Sequence, residues 1–464
     1  MHRVVDEICG EPVPCEGEDN HPDGRYESGG SPILQSARDP YCGTVYQGDF
    51  MTMAPPAPAP IASASLSKSE RSLAPDIARG FMLLFIALAN MPWHVYGRSL
   101  DFYGNFADPS DLDRWVRATE ALLILERSRP MFAILYGFGM AMMASRLIAR
   151  LDAAGAPPGY GAKHARILLA KRSVWLIVLG GLHAVFLFQG DILAPYGLTG
   201  LIALAFVAVS DRVLRRVTIA AVAFNFLVSL PLVALIVAWS YRQDAEATEI
   251  PLELSPYAMS MVEGLFATIT TGVLSVFLIL FLPLVLAGMM LHRAGWLTNP
   301  GAHLRELRLT FGVGMVVGIA SATPATLIAL GAWTPDLVGS ALAAWLSMAG
   351  GSVAGLGYIA GFGLLAHRLH GYGRRGPVRA VASLGERSLT GYLLQSIIAV
   401  SVLSVWGLGF GYQLGYAGVA VFSIALWLVT ALIAYALDKA GKQGPFEWLL
   451  RRLVYGRASV GSGR

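Results

Sequence analysis

The sequence predicts an all-α fold: a polytopic transmembrane helical bundle of about ten spans with both termini in the cytoplasm. Three observations lead there. Charged residues make up only 14% of the 464-residue chain, where a soluble globular protein carries about a quarter. Apolar letters reach 55% and the mean hydropathy is +0.55. Long apolar runs recur along the chain, and the lysines and arginines fall in short clusters between them, where a membrane protein keeps its cytoplasmic anchors. The lipid bilayer is therefore the expected solvent. The net charge of +4 does not point to nucleic acid, because the cations form no continuous basic face.

Residues 1–76 are rich in Gly, Pro, Ser and Asp and end in APPAPAPIASAS. Such a segment cannot bury enough apolar surface to fold alone, so it reads as a disordered cytoplasmic tail. It has no apolar core of the kind a cleavable signal needs, and Met51 and Met53 offer alternative starts. Cys9, Cys15 and Cys42 are the only cysteines, all in this tail. With His2 and His21 they match no standard zinc spacing, and the rest of the chain has neither a disulfide framework nor a cysteine nucleophile.

The bundle proper is expected over 77–438. Its spans fall near 77–96, 130–148, 173–189, 192–209, 214–240, 264–291, 310–330, 338–366, 386–405 and 416–437, each apolar enough for a roughly 30 Å hydrocarbon layer. Arg146, Arg150, Lys163, Arg166, Lys171 and Arg172 put the connector 146–172 inside. Alternation then places the groups Arg212, Arg215 and Arg216, Arg293, Arg305 and Arg308, and Arg368, Arg374, Arg375 and Arg379 on the same side. The segment 439–464, with GPFEWLLRRLVYGR, reads as an amphipathic helix along the inner headgroups. Glycines three or four apart, such as Gly314 with Gly318 and Gly357 with Gly361, suit close helix packing in lipid.

The connector 97–129 breaks the pattern, because arginines and carboxylates mix there on the outer side. Residues 112–125 show helical periodicity, which predicts an amphipathic helix on the outer surface or dipping into the bundle. Arg127 and Arg129 then either pair with neighbouring carboxylates or bind an anion.

Polar residues inside apolar runs are the candidates for chemistry. Arg79 and Asn90 are eleven residues apart on the first span, so they share a face about 16 Å apart, and His94 lies one turn beyond Asn90. Arg79 is either a snorkelling anchor or a cation at a cytoplasmic mouth; Asn90 is either an interhelical hydrogen bond or part of a site. His183 lies about ten residues inside the third span, where an ionisable group is expensive and is either a satisfied core histidine or a functional one. Asp191, at the turn into the fourth span, can orient a histidine, bind a cation or cap the next helix. Gln395, mid-way along the ninth span, suits a helix-to-helix hydrogen bond or a pore lining. A histidine with a carboxylate supplies a general base, and arginines hold anionic groups. No phosphate-binding glycine loop, metal signature or soluble catalytic motif occurs.

The stretches RGFMLLFIALAN, RSRPMFAILYGFGM with GGLHAVFLFQGDILAPYG, and SLTGYLLQS with GPFEWLLRRLVYGR resemble the YeiB family of bacterial membrane proteins of unknown function, from about residue 75 to 457. That family is distantly similar to the transmembrane acyltransferase superfamily, whose members carry acyl groups from a cytoplasmic thioester to sugars outside. The resemblance implies a bacterial inner-membrane location, acyl-CoA as the donor and a cell-envelope glycan or lipid as the acceptor. Members of the O-antigen-modifying type have Arg, ten residues, then a catalytic His; here Asn90 stands at that place after Arg79. The heparan glucosaminide acetyltransferase branch also has Asn there and a catalytic His further on, which makes His94 the first candidate and His183, with Asp191, the second. A transporter of a small molecule and a non-catalytic membrane scaffold are the alternatives; no internal repeat of the transporter kind is visible.

Overall fold

The structure is a computed structural model that describes residues 72–96, 103–106, 108–246, 257–278 and 280–456. The expected tail lies outside the described residues up to position 71, including all three cysteines. The described residues form helices joined by turns, with no β-strand among them. Eight helical stretches among them are long and apolar enough to cross a membrane, and three shorter apolar helices accompany them.

The first expected span is α1, Ala74–Asn90, closed by a 3-10 turn over Met91–His94. Pro92, the second residue of that turn, has no N–H to extend the α-helical ladder. The polar helix expected at 112–125 is α2, Asp111–Leu123, opened by a capping box in which Ser110 and Asp113 satisfy each other's backbone N–H groups. The second and third spans are α3, Ser128–Ala153, and α4, Tyr160–Phe186.

Three expected spans differ in form. The run 192–209 folds as α5, Leu193–Ala203, plus a 3-10 turn over Leu204–Phe206, about 21 Å in all and short of a full crossing. Its start is set by Asp191, which accepts from Ala194 N at 2.8 Å. The run 264–291 is split into α7, Tyr257–Phe277, and α8, Leu282–Arg293. Pro283, at the start of α8, cannot supply the hydrogen bond that would carry one helix through the break. Between these lies α6, Asp211–Glu246.

The third differing span, 386–405, folds as α12, Ser388–Leu403, which at 16 residues is one of the shorter apolar helices; the remaining spans are α9, Leu304–Ala329, α10, Leu337–Arg368, and α13, Tyr416–Lys439. A short α11, Gly376–Glu386, precedes α12, and α14, Pro445–Tyr455, closes the described chain. Helix α14 buries Leu450 and Val454 and packs on α4 and α12.

The core gathers around α1, α3 and α8, with Met82, Leu83, Ile134, Phe138, Val285 and Leu286 almost wholly buried. Small residues set the spacing. A Cβ on Gly357 would stand 2.8 Å from the Gly314 Cα, and one on Gly318 2.6 Å from the Ala354 Cβ, so α9 and α10 meet backbone to backbone. The periphery is apolar in the opposite sense: Leu227 on α6, Phe266 on α7 and Val421 on α13 are 74%, 71% and 69% exposed. An exposed apolar belt of this size is what lipid contact requires.

The α1 start, the α3 end and the α4 start lie at one end of the bundle with the clustered arginines, here termed the basic end. Ion pairs fasten it: Arg374 meets Asp76 at 2.6 Å and also Glu386, while Arg379 reaches Asp438 at 2.8 Å. At the opposite, distal end, α2 packs against α9 and α13 with three of its five charges turned inward. Asp113, Arg117 and Glu120 are buried, while Leu112 and Trp115 are exposed beside Asp111 and Arg114, so α2 presents a mixed face outward that includes two large apolar side chains.

Candidate functional site

The site grows from the turn between α4 and α5. Gly180 and His183 lie on one face of α4, and the chain turns back at Gly190 so that Asp191 faces that surface. A Cβ on Gly180 would stand 2.5 Å from Asp191 Oδ2, so the glycine makes room for the carboxylate. Asp191 Oδ1 then meets His183 Nδ1 at 2.8 Å while Oδ2 caps α5. On the other side of the ring, His183 Nε2 lies 2.8 Å from Ser396 Oγ on α12, and the Tyr392 ring, one turn earlier on α12, packs 4.8 Å from the imidazole. All four residues are buried. A carboxylate only accepts, so Nδ1 carries the proton and, in the neutral ring, Nε2 accepts from the Ser396 hydroxyl.

Two chambers border this cluster from opposite ends. The basic-end chamber, about 280 Å³, is lined by Arg79, Arg172, Arg451, Glu386 and Glu447 and reaches Leu193, Tyr196 and Tyr392. Gly139 gives Arg79 its space: a Cβ there would stand 3.1 Å from Arg79 Nη2, which also donates to Leu135 O at 3.3 Å. Both carboxylates are engaged, Glu386 by Arg374 and Glu447 by the α12 N-terminus, where it accepts from Leu389 N at 2.8 Å and Thr390 N at 3.0 Å.

The distal chamber, about 810 Å³, is lined on one side by Asn90, His94, Asn105, Arg117, Arg129 and Gln189 and on the other by apolar residues of α6, α9 and α10. It reaches Ala184 and Ile192, the neighbours of His183 and Asp191. His94 Nε2 is buried without a hydrogen-bond partner among the described residues, and its ring lies 5.2 Å from Phe188.

Asn90, His94 and Arg129 therefore share one chamber, Arg79 lines the other, and His183 with Asp191 lies between. Arg129 pairs with Glu126. Arg127 is elsewhere: its guanidinium donates to the carbonyls of Ala121 and Leu122 at 3.1 Å, Leu125, and Gly318 at 2.8 Å, tying the end of α2 to α9. Gln395 lines neither chamber and donates to Thr430 Oγ1 at 3.4 Å, its Oε1 buried without a partner. Ser396 and Tyr392 are the additions the structure makes; both stood in SLTGYLLQS, and their period of four was the available signal.

Fold and site define a polytopic helical membrane protein with a buried histidine and carboxylate between two chambers. Residues 291–457 match the family described as Protein of unknown function (DUF418). The chain is 27% identical over 408 residues to uncharacterized protein YeiB of Escherichia coli (strain K12), which covers 83% of this chain and 96% of that one. It is 24% identical over 413 residues to uncharacterized protein YxaH of Bacillus subtilis (strain 168), covering 82% and 93% respectively. The chain is thus similar over more than four-fifths of its length to YeiB and YxaH, and over its C-terminal third to the DUF418 family. No solved structure matches it.

Proposed function

We propose that this chain is an acyltransferase-like enzyme of the bacterial inner membrane, moving an acyl group from cytoplasmic acyl-CoA to a cell-envelope glycan or lipid acceptor. One observation carries the reading: chambers at opposite ends of the bundle reach residues that flank the same His183–Asp191 pair, Ala184 and Ile192 from the distal side and Tyr392 and Leu193 from the basic side. With the basic end in the cytoplasm, Arg79, Arg172 and Arg451 supply the positive lining that a donor's phosphates need. Asp191 holds His183 in the tautomer whose Nε2 accepts a proton, the role of a general base. Asn90, His94 and Arg129 offer polar contacts to an acceptor in the distal chamber, and the apolar wall facing them suits a lipid-linked one.

The test is incubation of the purified protein with labelled acetyl-CoA and cell-envelope glycans. Transfer of label is expected, with His183→Gln slower by about 10²- to 10⁴-fold and Arg79→Gln weaker in donor binding. Folded protein that neither binds acetyl-CoA nor transfers label would overturn the reading.

A second reading, a small-molecule transporter, draws on the break between Phe277 and Leu282 and on the short α5 packed beside it, since discontinuous helices are a transporter feature. A gradient across proteoliposomes that dissipates with wild type and not with His183→Ala would favour it.

A further inference from the structure

The nitrogen of His183 that would act as base is already occupied. Nδ1 is committed to Asp191, and Nε2 faces Ser396 Oγ at 2.8 Å inside the packed septum. An acceptor arriving through the distal chamber does not reach that nitrogen unless Ser396 leaves it. Serine within an apolar helix ordinarily returns its proton to the carbonyl four residues back, as Ser401 of the same helix does to Ile397 O at 2.8 Å. Ser396 instead meets the histidine. The order carboxylate, imidazole, hydroxyl, with both separations at hydrogen-bond length, is the arrangement that activates a serine as nucleophile.

Its position suits a relay. Tyr392, one turn before Ser396, lines the basic-end chamber; Ala184 and Ile192, beside His183 and Asp191, line the distal one. From these placements we propose that Ser396 is a covalent nucleophile, carrying the acyl group across the septum as a serine ester. The proposal rests on the acyltransferase reading and adds to it the residue that bears the acyl group.

The chemistry balances in two halves. Ser396 Oγ attacks the carbonyl carbon of an acyl thioester in the basic-end chamber while His183 Nε2 takes the hydroxyl proton. The C–S bond breaks and the thiolate leaves with that proton, giving an acyl-serine ester and a free thiol. An acceptor hydroxyl or amine from the distal chamber then attacks the ester carbonyl, its proton passing to His183 Nε2. The C–O bond to Ser396 breaks and the proton returns to Oγ, leaving acylated acceptor and the starting serine.

The experiment uses the full chain in detergent with radiolabelled acetyl-CoA and no acceptor, quenched in acid and mapped by mass spectrometry. Wild type is expected to retain one acetyl group on the peptide containing Ser396, and Ser396→Ala to lose it. Ser396→Cys, which keeps a nucleophile in the same place, is expected to hold the label as a thioester cleaved by neutral hydroxylamine. With cell-envelope glycans added, Ser396→Ala is expected to transfer at least about 100-fold more slowly than wild type. Label on His94 or His183 instead, or Ser396→Ala transferring at the wild-type rate, would overturn the covalent step and leave the acyltransferase reading standing. Wild type that neither binds acetyl-CoA nor transfers it would remove both.

Discussion

Asp191 performs two tasks with two oxygens, and each depends on the residue facing it. Oδ1 holds the His183 ring and Oδ2 holds the first turn of α5, so the carboxylate couples the histidine's orientation to the place where the chain re-enters the bundle. Gly180 permits this, because any side chain there would meet Asp191 Oδ2 and the backbone of Ala194. Gly181, its neighbour, has nothing within 4 Å of an added Cβ. Gly180→Ala should therefore cost about 1–3 kcal/mol through overpacking, whereas Gly181→Ala should leave stability unchanged or raise it by about 0.5–1 kcal/mol through helix propensity. Thermal unfolding of the two variants in the same detergent separates these outcomes; equal melting temperatures would mean that α4 and α5 are not in the contact described. The sequence made Asp191 a possible cap or a possible histidine partner, and at this position it is both. The partner of Nε2 was not legible at all, since 213 residues separate Ser396 from His183 and no local period links them.

Among the elements, α12 depends most on a distant helper. Its first backbone N–H groups find their acceptor in Glu447 of α14, which also receives the Thr390 hydroxyl at 2.5 Å. An anionic oxygen at a helix N-terminus satisfies otherwise orphaned donors and opposes the helix dipole. Glu447→Ala should cost about 1–3 kcal/mol, the penalty for leaving such donors without an acceptor. Hydrogen exchange over 389–392 should then speed up while α9 and α10 keep their protection; unchanged exchange at 389–392 would count against the cap. The amphipathic character of α14 was visible in GPFEWLLRRLVYGR, but its cap on α12 was not. Helix α2 teaches the same lesson in reverse. Its periodicity was readable, yet the face it buries includes three charges, because Asp113 accepts from Ala417 N at 2.8 Å and Arg117 donates to Tyr103 O at 2.6 Å and lies over the Tyr416 ring. Charges are sheltered inward when each finds a partner and lipid lies outside.

At the scale of the whole molecule, alternation of the helices between two ends determines which chamber meets which compartment. The basic end gathers Arg146, Arg166 and Arg172 with the ion-pair network around Arg374 and Asp438, and the proposed orientation, which rests on cation retention, puts that end in the cytoplasm. The orientation can be measured by replacing Cys9, Cys15 and Cys42 with Ser and introducing Lys163→Cys or Gln413→Cys, both at exposed positions. A membrane-impermeant maleimide should label the second in intact cells and the first only after lysis. The reverse pattern would invert both chambers and remove the donor assignment from Arg79.

By itself the sequence determined the helical class and located the apolar runs, because apolar length and charge placement are local quantities that lipid reads directly, but three of the ten expected spans fold shorter or broken. Only the tertiary structure decided that Asn90, His94 and Arg129 share a chamber, that Arg127 is absorbed in holding α2 to α9, and that Ser396 faces His183. Those outcomes depend on how far helices distant in sequence approach and rotate about one another, which the glycine contacts and interhelical hydrogen bonds set together and no single segment encodes.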